Sequence, residues 1–506
     1  MSTTIDLQLP SAVVGGKNLT YYVAVGSVLF LAWAWRNRNP RSVDAPFYEA
    51  PNLKWMFDAE SLILDSYSKF RNKVYQIKAT EGVQVLIPAN LIGELKGLPE
   101  EVLSSTEAVS EALLTKYTHF CPGHNGDLLA TLVRKQLTQS LTRLVPQLKE
   151  ELEHITATEF PECKDWAPVK FHPFGLRAVA RMSGRAFVGA EINRREQWMD
   201  TSINFATHVF AAVVKLQHYP PWLRPIGQHL VPEIRQIRRD IAVGEALLRP
   251  VILERLRDME EPGYEGPEDL TQWLIEGLSE GEKGDLYVQT KLQLILAAAS
   301  IHTTNNLLTE CMYDLAAHPE VQEMLREEAY QVLEVEGGWE KKESLAKLKK
   351  LDSFMKEVQR INGNITSFIR KVVKPVTLSN GTHLPPGTKL LAPQAGFSRD
   401  ADYFPDPSSF DPLRFYDMRR KSAEDSNRWQ FTSISDSNLN FGAGRHACPG
   451  RFFAGNEIKL ALSFFLLNYE VRLPEGAERP RPMVIVMSKM PDMNAELLFR
   501  RRTMMD

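Results

Sequence analysis

Ten residues near the C-terminus restrict this chain more than any other stretch: Phe441-Gly442-Ala443-Gly444-Arg445-His446-Ala447-Cys448-Pro449-Gly450. They set one cysteine on a glycine-rich turn, beside cationic side chains and just ahead of an apolar run, Pro449 to Leu467, that reads as a helix. Glycine lacks a β-carbon, so it turns sharply and lets the backbone approach a flat group closely. Proline is favoured in a helix's first turn, and Pro449 is expected there. The positive end of such a helix, with the N–H groups around it, favours a thiolate over a thiol. A thiolate held this way can ligate a haem iron and push electron density onto it, which favours O–O cleavage. A lone Gly-x-Gly would be an ordinary turn with a structural cysteine, but ten residues in this order are too specific for that reading.

Helical periodicity dominates the rest. Leu128 to Glu153 carries apolar residues at 3–4 spacing and reads as one helix. Leu286 to Ala317 reads as a longer one and Asp352 to Asn362 as a shorter one. Strand signals are fewer. Val74 to Pro88 reads as a strand pair, Ser367 to Leu391 alternates and turns at Asn380-Gly381 and Pro386-Gly387, and Tyr469–Leu473 and Met483–Met487 are short β-rich stretches. There is no internal repeat. The polar loops Glu260–Pro267 and Gly277–Gly284 read as connections within one domain. The expected class is therefore mainly α with small β-sheets.

A net charge of −3 gives no global field that points to nucleic acid or to an acidic substrate. The four cysteines, Cys121, Cys163, Cys311 and Cys448, are far apart, with no CxxC pair and no HExxH. A disulfide framework is therefore not expected, zinc-type ligand spacing is absent, and three of the four thiols are expected to be inert and buried.

The N-terminus carries one targeting signal. Leu19 to Trp35 is 17 residues without a charge, at the short end of what spans a bilayer. Arg36, Arg38 and Arg41 follow, which places the C-terminal bulk in the cytosol. No small-residue cleavage site follows, so a retained anchor is expected. The division is a luminal tail 1–18, a transmembrane helix 19–35, a hinge 36–52 stiffened by Pro40, Pro46 and Pro51, and a catalytic domain 53–506. The Asn18-Leu19-Thr20 sequon abuts the membrane and is not expected to be glycosylated.

The cysteine loop resembles the haem-binding signature of the cytochrome P450 superfamily, Phe-x-x-Gly-x-Arg-x-Cys-x-Gly. Phe441, Gly444, Cys448 and Gly450 fall on it, and His446 replaces the usual arginine. Glu357 and Arg360 match the family's Glu-x-x-Arg, a spacing that alone is common in solvated surface pairs. Phe410-Asp411-Pro412-Leu413-Arg414-Phe415 is similar to the family's Phe-x-Pro-x-Arg-Phe. The resemblance implies that Arg414 joins Glu357 and Arg360 in a buried network that holds the cysteine loop. Ala299-Ser300-Ile301-His302-Thr303-Thr304 matches the family's oxygen-binding helix, with Ser300 for the usual glycine and His302 for the usual acid. Thr303, and with it His302, is thereby implied in proton delivery, the other reading of His302 being a satisfied core histidine. Arg370 and either Arg134 or Lys135 match arginines that reach a haem propionate, the other reading being exposed cations.

The resemblance covers nearly the whole chain and implies the P450 fold behind an N-terminal anchor, one haem b with Cys448 as axial ligand, and residence in the endoplasmic reticulum membrane. It implies insertion of one oxygen atom from O₂ into a hydrophobic small molecule. Electrons would come from NADPH through a separate cytochrome P450 reductase, with cytochrome b5 as a second donor. Arg445, Arg451 and Lys135 are candidates for docking that partner, or simply a solvated rim. The pocket is expected to draw on Phe205, Phe210, Leu292, Ile295, Leu296, Phe368 and Met490, each of which also reads as core. The motifs look like those of filamentous-fungal members of specialised metabolism, several of which oxidise terpenoids. Two alternatives stand beside this: a haem-thiolate isomerase or dehydratase without O₂ activation, and a haem-binding protein without catalysis.

Overall fold

A computed structural model describes residues 26–28, 43–51, 54–79, 82–339, 342–485 and 488–503. Seven long helices carry most of the fold. Helix α1 spans Leu141–Glu159, α2 Phe171–Asn193, α3 Glu196–Gln217, α4 Pro232–Asp258, α5 Leu286–Ala317, α6 Lys349–Asn362 and α7 Arg451–Asn468. Helix α5 is the central pillar: α2, α3, α4, α6 and α7 all pack against it. Its 32 residues start where Asp285 accepts bonds from the amides of Tyr287 and Val288. Its flanks are buried on almost every side, so its apolar residues are spread round the helix rather than gathered in one stripe, with buried polar residues such as Gln293, Asn305 and Glu310 among them.

The run expected as one helix from Leu128 to Glu153 is divided. An α-turn, Gly126–Leu132, passes into a π-turn, Val133–Leu137, and α1 begins afresh after Ser140. Val133, Leu137 and Leu141 are buried through the π-turn and across the break, so the chain keeps one side inward while its helical ladder changes. Beyond it, Leu141, Leu144, Val145, Leu148, Leu152 and Ile155 form one buried stripe against α2.

Helix α7 begins at Arg451 with Gly450 as its N-cap, so Pro449 lies ahead of the first turn rather than in it. The reason is the closed turn before it, which occupies the chain through Gly450.

Six strands form the main sheet: β1 Phe47–Tyr48, β2 Tyr75–Ala79, β3 Gly82–Leu86, β4 Leu103–Ser104, β5 Ser367–Val372 and β6 Lys389–Ala392, in the order β1-β2-β3-β6-β5-β4. The expected strand pair is the antiparallel hairpin β2–β3, with Tyr75 opposite Leu86. The expected turns lie at Gly381 and Gly387, both at positive φ, where glycine is unstrained. Tyr469–Arg472 and Glu496–Arg501 pair in a three-stranded sheet with Ala167–Lys170. Met483–Ile485 pairs with Ser488–Met490, while Val486 and Met487 lie outside the described residues. Phe160 joins this sheet to α2 and α7, edge-on to Phe174, Tyr469 and Phe499 and 5.5 Å from Phe465.

The expected tail 1–18, the anchor 19–35 apart from Gly26–Val28, and most of the hinge lie outside the described residues. Among those described, no helix is long and apolar enough to cross a membrane.

Candidate active site

The cysteine turn is held by its own backbone. The Cys448 amide donates to the Phe441 carbonyl at 2.7 Å, and the Ala447 amide to Gly444 at 3.1 Å. Gly444 has φ +61°, and a β-carbon there would run into the Lys96 carbonyl. The Phe441 ring stands edge-on to Phe431 at 5.2 Å. Burial pushes the Cys448 thiol up, while the amides of Gly450 and Arg451 and the Arg451 charge pull it down. Those amides open α7, so helix and turn together aim positive charge at sulfur. Arg451 is not free at the rim: its Nη1 donates to the Cys448 carbonyl at 2.8 Å and its guanidinium lies over Phe452 at 4.5 Å. Arg445, Arg134 and Lys135 are exposed. The structure places Arg134 on the π-turn, where its charge acts on Arg451.

Glu357, Arg360 and Arg414 come together as implied. Arg360 donates to Glu357 through Nε at 2.8 Å and Nη2 at 2.7 Å, and Arg414 Nε reaches both carboxylate oxygens at 3.1 and 3.2 Å. The Asp411 amide adds a bond at 3.0 Å. The remaining guanidinium hydrogens go to the carbonyls of Ser398, Pro405, Asp406, Pro407 and Ser409. All three side chains are buried, and every charge has a partner.

The link from α6 to the cysteine turn runs through two residues that the sequence reading missed. Asp352 accepts the Phe431 amide at 2.8 Å and pairs with Lys459 of α7 at 2.6 Å. Lys356 donates to the carbonyls of Gln430 and Ser433 at 2.7 and 3.1 Å. Burial brings the Lys356 amine down to about 7, against the pull of Asp352. Asp352, Lys356 and Arg360 recur every four residues, a charged stripe that is itself buried, and that spacing was the available signal.

Arg370 is 6 % exposed. Its Nη1 donates to Ser105 Oγ at 3.1 Å and to its own strand at the Ile369 carbonyl, and its plane covers Phe368 at 4.5 Å. No carboxylate forms an ion pair with it among the described residues, and burial brings it down to about 10, with Glu100 opposing. His446 Nε2 lies 2.6 Å from Glu100 Oε1, but off the line of a hydrogen bond. Burial and the Arg370 charge lower the His446 imidazole. Burial works against the Glu100 carboxylate, but Ser104, the Ser105 amide and His446 outweigh it and hold its pKa down.

Helix α5 opens one narrow face. Ala299 and Thr303 are exposed and Leu296, Ser300 and Leu307 partly so, while Ala298, Ile301, Thr304 and Leu308 are buried. These positions fall at 3–4 spacing, one stripe facing a cleft. Thr303 Oγ1 donates to the carbonyls of Ala299 at 2.8 Å and Ser300 at 3.2 Å, which keeps the hydroxyl at the helix surface. His302 faces another way: its Nε2 is 2.9 Å from the Ile203 carbonyl of α3, and burial lowers its pKa. The imidazole thus lies against α3 and not on the stripe that carries Thr303. A neutral imidazole donating to Ile203 ties two helices, the role of a satisfied core histidine. Phe210, on α3, is 49 % exposed.

This donor set fits haem b. Cys448 would hold the iron as thiolate, and Arg370, a buried cation without a carboxylate, would take a propionate with His446 beside it. Bound there, the group supplies the chemistry of dioxygen activation.

Residues 128–498 match the model of a family described as Cytochrome P450. The chain is 37 % identical over 454 residues to Cytochrome P450 monooxygenase AN1598 of Emericella nidulans, covering 89 % of this chain and 84 % of that protein. It is 33 % identical over 477 residues to Cytochrome P450 monooxygenase braC of Annulohypoxylon truncatum, 92 % of this chain and 94 % of that protein. A protein named Ent-kaurene oxidase, of Gibberella intermedia, is 33 % identical over 460 residues, 90 % of this chain and 86 % of its own.

Proposed function

This chain belongs to the cytochrome P450 family and is a haem-thiolate monooxygenase, and we propose that it oxidises a hydrophobic, terpenoid-like intermediate of fungal specialised metabolism. The observation that carries the chemistry is Cys448 on its closed turn, with the amides of Gly450 and Arg451 directed at sulfur. Support for the substrate class comes from the apolar side chains on the open stripe of α5, Leu296, Ala299 and Leu307, and from a relative named Ent-kaurene oxidase. Thr303 holds a hydroxyl at the open face of α5, where a proton is needed for O₂ activation, which favours monooxygenation over an isomerase that needs none.

We further propose that electrons arrive from NADPH through a cytochrome P450 reductase, with cytochrome b5 as an accessory donor, at the exposed Arg445 and Lys135. The N-terminal apolar segment would anchor the enzyme in the endoplasmic reticulum. The deciding experiment is the absorption spectrum of the reduced protein under carbon monoxide. A strongly red-shifted Soret band that Cys448→Ser abolishes is the expected result. A band typical of histidine or neutral thiol ligation would remove the basis of the reading. Turnover of diterpene hydrocarbons that depends on NADPH and O₂ then tests the substrate class.

A further inference from the structure

One interior carboxyl belongs to none of the networks above. Glu457, in the second turn of α7, is 0 % exposed. Its Oε1 is met by the Ser183 hydroxyl of α2 at 2.8 Å, and its Oε2 has no partner among the described residues. The neighbouring charges are engaged elsewhere. Lys459 of its own helix pairs with Asp352. Arg181 of α2 pairs with Glu196, and His172 of α2 is 3.4 Å from Asn306. Arg326, from the adjoining helix Pro319–Ala329, donates to the Leu466 carbonyl. With no cation beside it, the carboxyl keeps its proton: burial lifts its pKa to about 8, and the Ser183 bond offsets only part of that.

Ser183 also looks the other way. Its Oγ is 3.4 Å from Ser300 Oγ on α5. Ser300 is partly exposed on the same stripe as Ala299 and Thr303, and its carbonyl accepts the Thr303 hydroxyl. Three proton-bearing groups thus run in line from behind the cysteine helix to the cleft. As a mere tie between α7 and α2 the carboxyl is a poor one, since it leaves a buried oxygen unbonded.

We propose that Glu457, Ser183 and Ser300 form a proton relay in which Glu457 holds the proton and Ser300 delivers it at the Thr303 face of α5. The proposal rests on the monooxygenase reading. Glu457 passes its O–H proton to Ser183 Oγ as Ser183 passes its own to Ser300 Oγ, and Ser300 releases one into the cleft. Only O–H bonds break and form, nothing is oxidised, and the carboxylate left behind regains its proton from cleft water along the same hydroxyls. Glu457 and Ser183 are positioning residues in this scheme, because they act through Ser300.

The test uses the haem-loaded full chain and two readouts. Infrared spectra between pH 5 and 10 should show a protonated-carboxyl band at pH 7 that is lost as pH rises through about 8 and is missing in Glu457→Gln. In reductase-driven oxygen consumption, the parent should fall off on the same alkaline limb. Glu457→Gln and Ser183→Ala should flatten that limb and slow the reaction roughly tenfold or more, within the range of positioned acid–base groups. Glu457→Asp, which keeps an acid, should keep the limb. Absence of the band at pH 7, or an unchanged pH profile in Ser183→Ala, overturns the proposal. Should Glu457→Gln fail to fold, Ser183→Ala and the parent's own band still decide. The reduced carbon-monoxide spectrum of the parent separates the two levels: without a thiolate band the monooxygenase reading fails, and with it a flat result condemns the relay alone.

Discussion

Replacing Glu357 by alanine tests the idea that the charged network, and not the cysteine turn alone, keeps the haem site assembled. Glu357 accepts four bonds from Arg360 and Arg414 and one from the Asp411 amide. The two arginine side chains are 3 % and 7 % exposed, so neither can turn to water. Removing one member of a buried pair costs about 3–5 kcal/mol, and here two cations lose the same anion. Stranding the Asp411 amide adds about 1–3 kcal/mol. The sum, about 4–8 kcal/mol or more, rivals the whole stability of a typical domain, about 5–15 kcal/mol. The assay is haem content and the reduced carbon-monoxide spectrum after purification, with thermal unfolding of whatever protein is recovered. Glu357→Ala should yield no thiolate-ligated haem, and Glu357→Gln, which keeps one acceptor oxygen, should yield a partial, heat-labile population. A Glu357→Ala protein with full haem and an unfolding temperature near the parent's would refute the reasoning.

Glu457 makes a second prediction, on stability. Its folded pKa of about 8 lies above the ordinary 4.5, so between those values the folded state holds a proton the unfolded state has lost. Stability therefore falls as pH rises across that window. The stabilisation gained by Glu457→Gln should grow from pH 5 to pH 8 in thermal unfolding, and a pH-independent difference would contradict the burial argument. Truncating Phe465, buried among Phe160, Phe171, Phe174, Tyr469 and Phe499, should cost about 3–5 kcal/mol in denaturant unfolding, as large aromatic deletions do. Two glycines of similar φ should separate: Gly444→Ala meets the Lys96 carbonyl and should empty the haem site, whereas Gly381→Ala meets open space and should cost only about 1–3 kcal/mol of backbone strain. Haem occupancy and unfolding of the two variants, measured side by side, check the pair.

Much of this was legible from local spacing. The bounds of α5, Leu286–Ala317, were read correctly from its long helical run, and the Glu357–Arg360 pair from its resemblance to the family motif rather than from its three-residue interval. The cysteine turn was readable because its function is packed into ten consecutive positions. What escaped were features set by tertiary neighbours. Nothing within ten residues of His302 announces that its ring bonds a carbonyl 99 positions away. Ser183 and Glu457 are 274 positions apart, and each alone is an unremarked residue in an apolar helix. The break before Leu141 escaped because buried apolar residues continue across it at helical spacing, so the sequence pattern does not mark it.

Helix α5 also limits how this enzyme can diverge. Most helices have a solvent face that absorbs changes in length, since a register slip there moves only exposed side chains. A helix packed on nearly all sides has no such face. One residue inserted between Leu292 and Ala299 would rotate everything beyond it by about 100°, driving Thr303 into a packed wall and a bulky neighbour into the cleft. Lineages related to this chain should therefore vary α5 by substitution alone, and take up insertions and deletions in connections such as Glu260–Pro267, where the chain lies between helices and no register is at stake.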